Sequence, residues 1–332
     1  MQSPYLLFLA DATDIADAKT AAGIRQWRGE LCAGQLRLPG GTVDLGLPDL
    51  TTTQAAARGI RTMIIGVAND GGYIADHWVA TIVDALESGL DVASGLHHTL
   101  ASIPAIAQAA ARTGRALIEV RQPAEHFPVA TGEKRRGRRL LTVGTDCAVG
   151  KKYTALTLEK SLRARGVNAE FRATGQTGIF ISGRGVAIDS VIADFIAGAA
   201  EWLSPANTPD HWDVIEGQGS LFHPSYAGVT LGLIHGSQPD ALVVCHDARR
   251  TSLMGFDDFP IPDYRTCMDA YLRAARLTNP RVRVVGISVN TSHLPEPAAR
   301  ELLANTSEQT GLPSVDPIRF GVEPIVDYLL QQ

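Results

Sequence analysis

Short apolar runs alternate with longer stretches of helical period along most of the chain. Residues 5–10, 62–67 and 116–121 are compact apolar runs of strand length, and 77–87 and 103–111 repeat their apolar positions at helical spacing. The run 89–95 reads as a short strand entering a loop. The alternation stops at a charged stretch and restarts beyond it. Strands are expected at 140–143, 168–172, 212–215, 240–245 and 282–289. Helices are expected at 153–165, 188–202, 265–277, 297–307 and 322–330. Strands separated by helices predict an α/β protein built on parallel sheets with right-handed crossovers.

The interruption is Glu133-Lys134-Arg135-Arg136-Gly137-Arg138-Arg139, five basic residues in seven. A run of this kind is ordinarily a solvated linker; its other reading is an anion-facing collar beside the motif that follows. With 332 residues the chain exceeds the roughly 250–300 that one core sustains. The expected division is an α/β domain at 1–132, a basic linker at 133–139, and a second, doubly wound α/β domain at 140–332.

Composition narrows the function classes. Hydrophobic residues at 45% against 20% charged give enough apolar material for packed cores and exclude a disordered, solvating chain. A net charge of −5 and 6% aromatics argue against nucleic acid, which needs a basic surface or stacking platforms. The four cysteines, Cys32, Cys147, Cys245 and Cys267, form no CxxC, so neither a disulfide framework nor a zinc site is expected. The apolar run at 5–10 is too short to span a membrane. A cytoplasmic protein without nucleic-acid or membrane partners is the expectation.

The strongest local signal follows the strand at 140–143. It is Gly144-Thr145-Asp146-Cys147-Ala148-Val149-Gly150-Lys151-Lys152-Tyr153, a strand running through Gly-x-x-x-x-Gly-Lys into a helix. Glycines let the backbone curl so that successive N–H groups point inward, the helix N-terminus adds partial positive charge, and Lys151 adds a full one. Nucleotide-hydrolysing loops carry Ser or Thr after the lysine to ligate Mg²⁺. Here Lys152 stands in that place, so the loop is expected to grip polyphosphate without a metal. The Gly-Thr-Asp opening resembles dethiobiotin-synthetase-type loops, which keeps an ATP- and Mg²⁺-dependent ligase or kinase as the alternative. Cys147 sits near a helix N-terminus, where a thiol pKa falls, though a small loop residue is the plainer reading.

In open parallel sheets ligands bind beyond the carboxyl ends of the strands. Several such ends are polar here: Arg172, Thr174, Gln176 and Thr177, running on to Arg184; Glu216, Gln218, Ser220 and His223; His246, Arg249 and Arg250. Glu216 ends an apolar strand where a metal-binding acid would stand, and a general base is its other natural use. Asp189 and the histidines His223 and His246 are its rivals. Arginines offer bidentate contacts to carboxylates.

Taken together, these strings resemble a bacterial and archaeal family long without assigned function, over nearly the whole chain. The likeness rests on the loop Gly144–Lys152 and on Ala173-Thr-Gly-Gln-Thr-Gly-Ile, Glu216-Gly-Gln-Gly-Ser-Leu-Phe-His-Pro, Val229-Thr-Leu-Gly-Leu-Ile-His-Gly-Ser and Gly89-Leu-Asp-Val-Ala-Ser-Gly-Leu-His. The resemblance implies an N-terminal Rossmann-like domain and a C-terminal P-loop domain. It also implies D-glutamate N-acetyltransferase activity with acetyl-CoA as co-substrate, in D-amino-acid catabolism.

On that footing no metal is expected, and the partners are a small amino-acid substrate and a homodimer or higher homo-oligomer. Gly144, Thr145, Asp146, Cys147, Ala148, Val149, Gly150, Lys151, Lys152 and Tyr153 would hold the cofactor. Glu216, with Asp189 or His223 as rivals, would be the base. Arg172, Thr174, Gln176, Thr177, Arg184, Gln218, Ser220 and Arg249 would contact substrate. Backbone amides of the turns at 175–178 or 217–219 would face the oxyanion.

Overall fold

The computed structural model describes residues 1–69, 71–122 and 126–331. The chain divides into two compact units, the first from residues 1–124 and 176–187, the second from 125–175 and 188–332.

The first unit carries five parallel strands, β1 (Tyr5–Ala10), β2 (Cys32–Arg37), β3 (Thr62–Ile65), β4 (Asp91–Ser94) and β5 (Leu117–Glu119), in the order β2-β1-β3-β4-β5. All six residues of β1 are buried because helices cover both faces, the usual condition of a parallel sheet. Side chains alternate between the faces. Leu6 and Phe8 pack with residues of α2 (Thr52–Ala57), α3 (Val79–Glu87) and α4 (Pro104–Thr113). Leu7 and Leu9 pack with Ala21 and Ile24 of α1 (Lys19–Trp27).

The second unit carries β6 (Arg138–Gly144), β7 (Ala169–Arg172), β8 (Trp212–Ile215), β9 (Ala241–Asp247), β12 (Arg283–Asn290) and β13 (Ser314–Val315), after an antiparallel hairpin of β10 (Ser252–Leu253) and β11 (Phe256–Pro260). The six parallel strands run β13-β12-β9-β6-β8-β7. Around them lie α5 (Lys151–Ala164), α7 (Ile196–Leu203), α8 (Ala227–Ser237), α9 (Tyr264–Arg276), α10 (Glu296–Thr310) and α11 (Glu323–Leu330). The chain leaves β6 for β7 and β8 on one side and then crosses to β9 on the other. The end of β6 is therefore the switch point where a crevice opens. No helix among the described residues is long and apolar enough to cross a membrane.

Three findings differ from the sequence-based expectations. The helix expected over 188–202 is broken: Ile188–Ser190 and Ala193–Phe195 are single 3-10 turns, and only α7 is α-helical. Asp189, Ser190 and Asp194 supply short side chains that compete for backbone groups and disfavour a continuous helix. The segment after Gly175 is not a loop but α6 (Gln176–Ser182), which packs into the first unit: Phe180 joins the core of Leu7, Leu9 and Ile24, and Thr177 Oγ1 lies 3.2 Å from Thr20 Oγ1. The basic run is built into the second unit rather than solvated throughout. Arg138 and Arg139 begin β6, and Arg139 is fully buried.

Candidate active site

The loop between β6 and α5 curls through two left-handed residues, Ala148 (φ 54°) and Gly150 (φ 96°), and Gly150 is the N-cap of α5. Non-glycine residues seldom adopt such φ values, so Ala148 marks a backbone held by its surroundings. Thr145 N–H donates to the Cys245 carbonyl at 3.0 Å, and Thr145 Oγ1 lies 3.0 Å from His246 Nδ1. Lys151 is buried. Its Nζ donates to the Asp146 carbonyl at 2.8 Å, and burial holds its pKa below the usual lysine value. Lys152 follows in the first turn, with Nζ 4.5 Å from the Tyr153 ring centroid.

Asp146 would repel phosphate if it faced the loop's interior. Its Oδ2 instead accepts from Met254 N–H (2.8 Å) and Arg250 (3.3 Å), and its Oδ1 from Cys147 N–H (2.6 Å). The charge is neutralised on the hairpin side. Cys147 is buried, and burial pushes its thiol up to about 11. That reverses the lowering expected at a helix N-terminus, because desolvation outweighs the dipole.

Glu216 follows β8, and its carboxylate is buried. Oε2 accepts from Thr174 N–H at 2.9 Å and Gly175 N–H at 3.2 Å. Burial raises its pKa to about 7, Lys152 and the two amides pull it down, and Asp189 pushes it up. The Gly175 amide, expected to face an oxyanion, is thus engaged by the base candidate. Thr174 Oγ1 donates to the Glu216 carbonyl (2.6 Å) and accepts from Gln218 Nε2 (3.1 Å). Gly217 is sterically required, since a Cβ there would lie 1.7 Å from the Thr142 carbonyl oxygen. Burial and the neighbouring Glu216 both raise the pKa of Tyr153. One site therefore gathers the loop 144–153 with Thr174, Glu216, Gln218 and Asp189.

Other expected residues are held differently. Arg172 is buried, with Nε 2.7 Å from Asp213 and a second nitrogen 3.0 Å from Glu170, so its charge is already neutralised. Arg249 is held by both oxygens of Asp247. Gln176, Thr177 and Arg184 belong to the segment that joins the first unit. Ser220 Oγ donates to the Gly144 carbonyl at 3.0 Å and so braces the phosphate loop.

His223 accepts from Ser225 N–H at Nδ1 (3.2 Å), which puts its proton on Nε2, 3.0 Å from the Met254 carbonyl. Its ring stacks on Tyr226. Asp146, Cys147 and His223 bring ligand atoms within 4.8 Å of one another. Both ring nitrogens of His223 are already engaged, Nδ1 by Ser225 N–H and Nε2 by the Met254 carbonyl. The trio Glu170, His211 and Asp213 is also close, and the Arg172 guanidinium already contacts both carboxylates.

Arg250, expected at a polar strand end, touches the loop through Asp146, and Tyr271 and Met254, which the sequence did not mark, touch it as well. Tyr271 falls at helical spacing with Cys267 and Ala275, all three buried, so it reads as core; its hydroxyl is the only hint of more.

Family models match in two pieces: a P-loop domain of unknown function, DUF1611_C, over residues 128–326, and a Rossmann-like domain of unknown function, DUF1611_N, over 36–123. The chain is 52% identical over 329 residues to a D-glutamate N-acetyltransferase of Tritonibacter scottomollicae, covering 99% of each chain. It is 49% identical over 326 residues to a D-glutamate N-acetyltransferase of a Pseudoalteromonas species, covering 98% of each. The crystal structure of a DUF1611 family protein from Anabaena variabilis superposes with a TM-score of 0.89 at 34% identity, covering 99% of this chain and 100% of that one.

Proposed function

The chain belongs to the DUF1611 family, pairing a Rossmann-like domain with a P-loop domain, and from that premise we propose that it acetylates the amino nitrogen of D-glutamate. The acetyl donor in this reading is acetyl-CoA. The observation that carries it is a buried carboxyl tuned to about 7 beside a phosphate loop that has Lys152 where a metal-ligating hydroxyl would stand.

The residues fit such a donor. Coenzyme A brings phosphate groups that must be held and not cleaved, so backbone amides and ammonium groups suffice. The curled backbone at Ala148 and Gly150, the N-terminus of α5, Lys151 and Lys152 supply both, and Asp146 is turned away.

In the proposed chemistry Glu216 accepts a proton from the substrate ammonium. A carboxylate with a pKa near the working pH suits that task. The nitrogen lone pair then forms the C–N bond to the acetyl carbonyl carbon, and the C–S bond breaks. The departing sulfur takes the second nitrogen proton, leaving the free thiol, and Glu216 passes its proton to water. Thr174 and Gln218 fix the carboxylate and its loop.

The test is thiol release from acetyl-CoA with D- and L-amino acids and purified protein. D-glutamate should give the highest kcat/KM; no release with it overturns the reading. Glu216→Gln should lower kcat by about 10²–10⁴-fold, the usual worth of a general base, with CoA binding retained. Undiminished turnover would remove Glu216 as the base.

A further inference from the structure

Acetyl transfer as proposed needs two loops at a fixed separation. The phosphate loop leaves β6 at Gly144, and the Glu216 loop leaves β8 and passes through Ser220 and Leu221. Both belong to the second unit, and α9 reaches both through Tyr271.

Tyr271 of α9 is fully buried. Its hydroxyl donates to the Gly144 carbonyl at 2.7 Å and accepts from Leu221 N–H at 3.2 Å and Gly144 N–H at 3.4 Å. A phenol has one proton and two lone pairs, so the group is saturated by one residue of the first loop and one of the second. Ser220 Oγ reinforces the link: it donates to the same Gly144 carbonyl and accepts from Phe222 N–H at 3.2 Å. The Phe222 ring meets the Tyr271 ring edge-on, centroids 6.5 Å apart. Burial raises the hydroxyl's pKa, so it remains a donor across working pH.

We propose that Tyr271 is a positioning residue whose hydroxyl sets the separation of the phosphate loop from the Glu216 loop, with Ser220 as the second brace. Its kinetic consequence rests on the acetyl-transfer reading. Misplacing reacting groups by about 1 Å can lower the rate some 10²-fold, and this appears in kcat when each ligand still binds its own loop.

Tyr271→Phe retains the ring and removes only the hydroxyl. Its kcat should fall about tenfold or more, with KM for both substrates within about threefold and the apparent pKa near 7 unmoved. Ser220→Ala should have a smaller effect of the same kind. The double variant should lose more than the product of the single losses, because the buried Gly144 carbonyl then lacks both side-chain donors. Amide hydrogen exchange at Leu221 should speed up in Tyr271→Phe, while amides of the first unit keep their protection.

An unchanged kcat, a multiplicative double variant, or unchanged exchange at Leu221 would each overturn the proposal. So would a loss explained wholly by a smaller folded fraction. If Tyr271→Phe does not fold, Ser220→Ala carries the kinetic arm, and faster exchange at Phe222, whose N–H bonds Ser220 Oγ, takes the place of that at Leu221. If the unaltered protein releases no thiol with D-glutamate, the reading of function fails, while exchange at Leu221 still decides the role of Tyr271.

Discussion

The basic run at 133–139 and the lysine pair at 151–152 are close in sequence and alike in charge, yet they meet opposite ends of helices. Lys134 Nζ donates to the Gln238 carbonyl and to Asp240, both at 2.8 Å. Arg135 donates to the Ser204 and Gly236 carbonyls at 2.8 Å, and Arg139 to the carbonyls of Arg136, Ser204 and Pro205. Apart from that of Arg136, those carbonyls end α7 and α8, where a helix leaves acceptors unsatisfied and its dipole favours cations. Burial lowers the Arg135 pKa to about 10, which still leaves it charged at neutral pH. Lys151 and Lys152 instead sit at the N-terminus of α5, where the dipole repels them. A cation at a helix C-terminus stabilises the fold. One at an N-terminus works against it and is useful when an anion comes to lie between.

That contrast can be broken by substitution. The largest effect is expected for Arg139→Leu, which leaves Asp213 and a set of buried carbonyls short of a partner. Breaking a buried pair typically costs about 3–5 kcal/mol. Chemical denaturation should show a loss of that order, with KM for acetyl-CoA unchanged in the folded fraction. Lys151→Ala should do the reverse. The kcat/KM for acetyl-CoA should fall about 10²-fold, nearly 3 kcal/mol, while the melting temperature holds or rises. A lysine variant that unfolds the protein, or an arginine variant that weakens acetyl-CoA binding, would erase the distinction.

Lys152→Met should have the smallest effect on binding, about tenfold in KM, and a second signature in the pH profile. Turnover should rise with pH through about 7 as Glu216 loses its proton, and removing the Lys152 charge should move that midpoint upward, since Lys152 lowers it. Stability follows the opposite course. The Glu216 pKa is raised in the folded protein, so its contribution is fully present below the ordinary carboxyl range and is lost as pH rises through about 7. Glu216→Gln should flatten that part of a stability–pH curve.

The sequence displayed the phosphate loop almost completely, because glycines, lysines and the strand-to-helix change are all local. β8 was legible to the residue, and the strand at 140–143 grew by pairing on both sides with β8 and β9. β2 was not, since Cys-Ala-Gly-Gln-Leu-Arg lacks an apolar run and is held as a strand by pairing with β1. α8 begins without a side-chain cap and mixes glycine with β-branched residues, so only packing against α7 and α9 defines it. In the site, Glu216 was visible as an acid ending an apolar strand. Arg172 was misleading: a polar strand end looks alike whether it faces substrate or, as here, a buried aspartate on the next strand. Tyr271 was hidden because a buried hydroxyl and an ordinary core ring occupy the same helical position.

The α6 excursion bears on how this protein can be dissected. A recombinant fragment stopping anywhere before residue 133 would lack Phe180, leaving Leu7, Leu9 and Ile24 without a neighbour they pack against. The complementary fragment would carry α6 with its apolar side chains bared to water. The two family models divide the sequence cleanly, but their borders are not places to cut. Truncation studies on this chain should expect insoluble halves, and a split version would need residues 176–187 supplied to its N-terminal piece.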